Sequence, residues 1–313
     1  MKEKNILTKL AYRFHKLSFY FLSITLYIKD SNDSHCKLLR PFVSIYYFFK
    51  GSIINLQIFF RSKLYFGYIE VPITSRCTLK CKSCSNLIPH YRNRDDFVFQ
   101  NILESTKIFL KCINRVVFFR ILGGEPFLSN ENLKSLLQLV IEDNKVQRVV
   151  IVTNGSIVPK DNGLIELLKN KKVIVSISNY NIIDSSKLVD LLIKNRINYQ
   201  IKHVENWIDY GEAIYRNKTD NELKKQFKKC NPVCKSLVNG EFHLCPRSAH
   251  GTDLKIINDN NGDFVNLLDK NISTKDKKRA IIKLLNKRSI KACHFCIYGV
   301  KKPIKIPVAE QIK

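Results

Sequence analysis

"TSRCTLKCKSC", residues 74–84, sets three cysteines at C-x3-C-x2-C spacing just after the apolar, strand-like run "GYIEVPITS" (67–75). Thiols clustered this way point to metal ligation in a reducing compartment. A disulfide framework belongs to much shorter chains of higher cysteine density, and here ten cysteines are spread over 313 residues. A structural zinc ion wants four closed ligands, and besides Cys77, Cys81 and Cys84 only His90 is a nearby fourth candidate. A four-iron cluster explains three thiols better, because three thiolates leave one iron open for an exogenous ligand.

Outward from this loop the chain alternates strand-like and helix-like segments. After the first strand comes a helix near 97–112, then the strand "RVVFFRILGG" (115–124) ended by glycines. Ser129 or Asn130 can cap a helix running to about Asp143. "RVVIVTNG" (148–155) reads as a third strand, 163–170 as a short helix, "KVIVSIS" (172–178) as a fourth strand, 184–195 as a helix and "NYQIKHVE" (198–205) as a fifth strand. Five βα units in succession predict an α/β fold with a parallel sheet, and the nearly continuous apolar strands fit burial on both faces. Arg120 breaks that apolar rule in mid-strand, so it must either meet a polar ligand inside a closed or partly closed barrel or pair with a structural carboxylate.

Beyond Glu205 the pattern changes. Thr219 and Glu222 form a capping box that opens a lysine-rich helix ending near Cys230. "CKSLVNGEFHLC" (234–245) reads as a β-hairpin, because Asn239 and Gly240 supply the positive φ angles of a type I′ turn. A helix near 275–287 and "KACHFC" (291–296) follow. At the other end, the apolar stretches Leu17–Ile28 and Pro41–Phe60 read as amphipathic helices, packed on the protein's own body or lying on a membrane surface. The first is too short to span a bilayer, and no small-residue cleavage site follows it.

At the ends of the first two strands the chain resembles radical S-adenosylmethionine (SAM) enzymes. The C-x3-C-x2-C loop matches that superfamily's signature, and "GGEP" (Gly123, Gly124, Glu125, Pro126) matches its SAM-binding turn. The resemblance spans about 67–205. It implies a partial (β/α)6 TIM-like barrel, with SAM's amino and carboxylate groups on the open iron of a [4Fe-4S] cluster held by Cys77, Cys81 and Cys84. Gly123, Gly124 and Glu125 would engage the methionine end of SAM. Ser176 and Ser178 match a polar position on the fourth strand, and Asn154 is placed to line the pocket. Relatives often carry an aromatic residue just before the third cysteine, where this chain has Ser83. The distal thiols resemble the shortened auxiliary-cluster domain called twitch, a cut-down SPASM domain, with Cys234, Cys245, Cys293 and Cys296 as ligands of a second [4Fe-4S] cluster; a zinc ribbon is the alternative. Cys230 is left as an alternative ligand, a thiol hydrogen donor or an idle residue, and Cys36 and Cys112 read as core thiols.

Three segments are therefore expected: an N-terminal amphipathic helical extension (1–66), a radical SAM partial barrel (67–215) and a small β-hairpin/helix iron–sulfur domain (216–313). The resemblance implies an oxidoreductase that abstracts hydrogen from a sugar-like or cyclitol-like substrate and oxidises an alcohol, as in surface-polysaccharide biosynthesis, fed by an electron donor such as flavodoxin or ferredoxin. A peptide-modifying maturase, a sugar epimerase and a non-enzymatic membrane-associated metal scaffold are the other readings. The net charge of +26 favours a phosphorylated or nucleotide-linked substrate, but the charge is scattered, so no specific nucleic acid is expected. The expected location is cytoplasmic, with peripheral membrane contact through the N-terminal helices. His203, Glu205, Trp207, Asp209, Tyr210 and Arg216 follow the fifth strand as candidate acid, base and stacking groups, and Arg247 and His250 as candidate anion ligands.

Overall fold

The computed structural model describes residues 64–230, 234–258, 262–299 and 303–312. The stretches at 17–28 and 41–60, and Cys36 between them, lie outside the described residues. Among the described residues no helix is long and apolar enough to cross a membrane.

The βα alternation forms as its periodicity predicts: β1 (Tyr65–Pro72), α1 (Phe99–Cys112), β2 (Arg115–Leu122), α2 (Asn130–Glu142), β3 (Val146–Thr153), α3 (Asn162–Leu168), β4 (Val173–Asn179), α4 (Ser186–Lys194) and β5 (Tyr199–His203). The five strands are parallel neighbours in the order β5-β4-β3-β2-β1. Ile69, Phe119, Ile121, Val149, Ile151, Val175 and Ile177 are fully buried along them, under Phe109 of α1 and Leu133, Leu136 and Leu137 of α2. Each such side chain stabilises the sheet by about 1.5–3 kcal/mol relative to exposure.

No sixth βα unit follows β5. The chain instead forms β6 (Asn206–Ile208), which pairs antiparallel with β10 (Lys305–Pro307) in a separate two-stranded sheet. The capping box opens α5 (Asp220–Cys230) as expected, with Glu222 Oε2 accepting from the Thr219 backbone N–H at 2.7 Å. β7 (Lys235–Val238) then docks parallel to the free edge of β1, pairing Ile69 with Lys235 and Glu70 with Ser236. β8 (Glu241–His243) and β9 (Phe264–Asn266) add antiparallel, so the eight-stranded sheet has β5 and β9 as its edges. The β7–β8 hairpin turns through Asn239 (φ 47°) and Gly240 (φ 89°), the positive-φ pair that its sequence demanded. Between β8 and β9 lies α6 (Pro246–Asp253), and after β9 comes α7 (Thr274–Leu285), whose Ile281 and Leu284 are buried in the same core. The expected division at 215/216 thus runs through a continuous sheet, within one compact unit spanning 62–313.

Candidate metal centre

The C-terminal ends of β1, β2 and β3 converge, as parallel architecture requires of strand ends that carry a site. The loop after β1 is locked to the turn after β2 by backbone bonds: Gly124 N–H donates to Thr74 O at 2.9 Å and Glu125 N–H to Arg76 O at 2.8 Å. The approach is so close that only glycine fits. A Cβ on Gly123 would lie 2.5 Å from Thr74 O, and one on Gly124 would lie 2.1 Å from Arg76 O and 2.6 Å from Cys77 Cβ. Arg76 holds the loop from the other side, with a bidentate pair to Asp96 (3.0 and 2.8 Å) and a bond to Leu128 O.

Glu125 is fully buried and its carboxylate accepts from Thr153 Oγ1 (2.7 Å), Asn154 N–H (2.9 Å) and Phe127 N–H (3.2 Å). Burial outweighs these three donors and raises its pKa to about 7. Asn154 Nδ2 in turn donates to Thr78 Oγ1 at 3.0 Å and lies 3.8 Å from Cys77 Sγ. Ser176 is buried and engaged by Gln200 Nε2 at 3.0 Å.

This region borders a cavity of about 610 Å³ whose lining includes Cys77, Cys81, Cys84, Gly123, Gly124, Asn154 and Ser178 together with Cys230, Cys234, Cys245 and Cys296. Cys293 is buried on the 3-10 turn Lys291–Phe295, whose C-cap Cys296 is tied to α5 by Gln226 Nε2 donating to its carbonyl at 3.0 Å. Glu70 and Arg120 also line the cavity, and Arg120 Nη1 donates to Glu70 Oε1 at 2.6 Å. Tyr180 and Trp207 meet edge-to-face at 5.5 Å, and Tyr210 and Tyr298 meet tilted at 5.6 Å, as an aromatic wall.

His203 and Glu205 stand apart from this wall: both are exposed at the end of β5, and His203 Nδ1 is 3.3 Å from Asn179 Nδ2. Arg216 clasps its own loop through the carbonyls of Glu212 and Ile214. His250 is fully buried, 2.9 Å from Tyr91 Oη, and burial followed by the charge of His243 lowers its pKa to about 3. It is neutral there, and unsuited to binding an anion.

The donor set fits a metal cluster. Burial pushes the thiols of Cys77, Cys230, Cys234 and Cys293 up to about 11 and that of Cys245 up to about 12. Such thiols stay protonated at neutral pH unless a cation replaces the protons. Arg247, lining the cavity beside Cys245, gives Nη2 to Gly211 O (2.7 Å) and Phe295 O (3.1 Å), while its buried Nε has no partner among the described residues. Among the described residues no three His, Cys, Asp or Glu side chains converge as around a single ion. Thiols gathered on the lining of one cavity fit a polynuclear cluster, which takes several thiolate ligands.

Five distal thiols surround four expected ligand positions. Cys230 is close enough to Cys296, Cys293 and Cys234 for their charges to interact, and Cys245 to Cys293, Cys296 and Cys230, while Cys234 also gives its thiol to Glu70, with Arg120 alongside. Sequence spacing missed Glu70 altogether, although a carboxylate in a buried strand beside the one carrying Arg120 was the available signal.

Residues 67–201 match the family model of a 4Fe-4S single cluster domain. No curated protein matches the sequence. Among solved structures, the chain is similar to anSMEcpe with bound AdoMet and the Cp18Cys peptide (23% identity over 45% of this chain and 43% of that one, TM-score 0.34). It is also similar to anSMEcpe with AdoMet and the Kp18Cys peptide (16%, 76% and 84%, TM-score 0.46) and to BtrN with AdoMet and 2-DOIA (16%, 79% and 97%, TM-score 0.42). The chain spans less than half the length of the first of these. Residues 67–201 are thus similar to a 4Fe-4S single-cluster domain, and the three-cysteine loop and GGEP turn within them resemble the radical SAM pattern.

Proposed function

We propose that the protein is a radical SAM oxidoreductase with two [4Fe-4S] clusters that oxidises an alcohol of a neutral sugar-like or cyclitol-like substrate. The observation that carries this reading is the meeting of both cysteine groups, the glycine turn, an ion pair and an aromatic wall on one cavity. When bound, the first cluster and SAM supply hydrogen abstraction and the second cluster an electron acceptor, fed by a donor such as flavodoxin or ferredoxin.

The chain's own residues bind and orient. Cys77, Cys81 and Cys84 would hold the first cluster, and the backbone of Gly123 and Gly124 would bind the methionine end of SAM. The Glu125 carboxylate is already committed to three protein donors, so its part, like that of Pro126, is to shape the turn. Asn154 and Ser178 line the SAM side, and Ser176 supports them through Gln200. Sugar C–H faces stack on Trp207 and the tyrosines, while Glu70 accepts and Arg120 donates hydrogen bonds to hydroxyls. The pair is neutral overall and Arg247 is tied to two carbonyls, so a phosphate or nucleotide on the substrate finds its counter-charge outside the cavity. In this reading residues 67–215 are the partial barrel and 216–313 the auxiliary-cluster region, whose β7 extends the same sheet on the β1 edge.

Cys245, Cys293 and Cys296 are three ligands of the second cluster. The spacing C-x10-C names Cys234 as the fourth, but the grouping of thiols favours Cys230, which frees Cys234 to stand beside the substrate with Glu70. Anaerobically reconstituted protein, given a strong reductant and SAM, releases 5′-deoxyadenosine, and Cys81→Ala releases none. Equal release by Cys81→Ala would remove the loop from the chemistry.

A further inference from the structure

Residues 309–312 lie antiparallel to the cysteine loop, with Gln311 bridged to Cys81. Lys82 N–H donates to Glu310 O at 2.8 Å, Ile312 N–H to Lys80 O at 2.8 Å and Lys80 N–H to Gln311 Oε1 at 2.7 Å. The same side-chain amide turns its Nε2 to Cys81 Sγ at 3.4 Å and to Ala309 O at 2.6 Å. Both ends of the Gln311 amide are therefore engaged: the oxygen holds the loop backbone, and the nitrogen donates to a sulfur. Cys81 is only 8% exposed, although it sits on a loop.

We infer that Gln311 is a positioning residue for the cluster held by Cys77, Cys81 and Cys84, its N–H to the Cys81 sulfur raising the cluster's reduction potential. The physical reason is charge. Reduction adds negative charge that is shared by the ligating sulfurs, and an N–H aimed at one of them stabilises the reduced form more than the oxidised form. By pairing with Lys80 and Lys82, residues 309–312 also fix the loop that carries the three thiols, a second-shell role of the kind that orients metal ligands. This inference rests on the cluster reading above.

The test is a redox titration of full-length, reconstituted protein, following the cluster signal that added SAM perturbs, which belongs to the open-iron cluster. At a fixed poise the reduced-to-oxidised ratio falls roughly threefold to tenfold in Gln311→Ala. It falls further in Gln311→Glu, which keeps an acceptor for Lys80 and the backbone pairing but brings an anionic oxygen to the sulfur. Glu310→Gln alters a nearby exposed charge without touching the sulfur, and leaves the ratio unchanged. A wild-type ratio in Gln311→Glu, or an equal fall in Glu310→Gln, overturns the inference. A wild-type protein with no SAM-responsive signal overturns it together with the radical SAM reading, and so separates the two failures.

Discussion

Arg120 and Glu70 are direct partners across β1 and β2, and the guanidinium donates to the carboxylate at 2.6 Å. Glu70 is 8% exposed at its side chain and Arg120 22%, so both charges are largely removed from water. Burial raises the Glu70 pKa, and the Arg120 charge and the Cys234 thiol oppose that rise. Each charge is tolerable there only because of the other, and together they present a donor and an acceptor on the cavity wall.

Removing one partner strands the other. Arg120→Gln is expected to destabilise the protein by roughly 3–5 kcal/mol, because it leaves a buried carboxylate without its counter-charge. Glu70→Gln/Arg120→Gln should recover most of that stability in thermal denaturation, yet lose substrate oxidation while still cleaving SAM. Full substrate turnover by the double variant would make the pair purely structural.

Iron counting separates the two assignments of the fourth distal ligand. Reconstituted wild type should hold roughly eight irons per chain, and about four after Cys77, Cys81 and Cys84 are all replaced by alanine. Cys230→Ala should also fall to about four, whereas Cys234→Ala keeps about eight. The reverse result restores Cys234 as the ligand, and stoichiometric zinc at these thiols would remove the second cluster.

Gly124→Ala tests the close crossing of loop and turn. Its Cβ would stand 2.1 Å from Arg76 O, a backbone atom that cannot swing away. The loop must shift, at a cost of about 1–3 kcal/mol seen as a lower denaturant midpoint. Iron retention by the first cysteine group should fall with it, whereas Gly67→Ala, with open space around its Cβ, should change neither.

His250 sets a pH dependence away from the cavity. The Tyr91 hydroxyl proton goes to Asp253 at 2.8 Å, so His250 donates Nδ1–H to Tyr91 Oη, and its buried Nε2 is left without a partner. The folded pKa is lowered from 6.5 to about 3, so below 6.5 the unfolded chain binds the proton and the folded one does not. Stability from this group is present above pH 6.5 and is lost as the pH falls towards 3, by roughly 5 kcal/mol. His250→Gln keeps a donor for Tyr91 and should flatten the fall in urea midpoint between pH 6.5 and 4; an unchanged slope would show that the histidine titrates freely.

Much of the molecule is legible in local sequence. The alternating apolar runs place β1 to β5 and their helices within a few residues, and Thr219 with Glu222 and Asn239 with Gly240 place a helix start and a hairpin turn. The cysteine spacing and GGEP mark the loop and the turn that the fold brings together. These signals are short-range, because side-chain periodicity, capping and turn geometry depend on neighbours a few positions away.

What crosses the chain was decided only in three dimensions. That β7 takes the free edge of β1, instead of a sixth βα unit following β5, depends on which strand edge remains unpaired once β2 to β5 have added to one side. The register that sets Glu70 against Arg120, the packing of α5 that brings Cys230 to Cys293 and Cys296, and the pairing that lays Gln311 on Cys81 are long-range choices of the same kind. His203 and Glu205 show the converse, since position after a strand end suggested a role and the turn into β6 left both in solvent. Sequence by itself determined which residues could form strands, helices and ligand loops; tertiary structure decided which of them meet, because strand partners and buried charges are matched by edge, register and desolvation across the whole sheet.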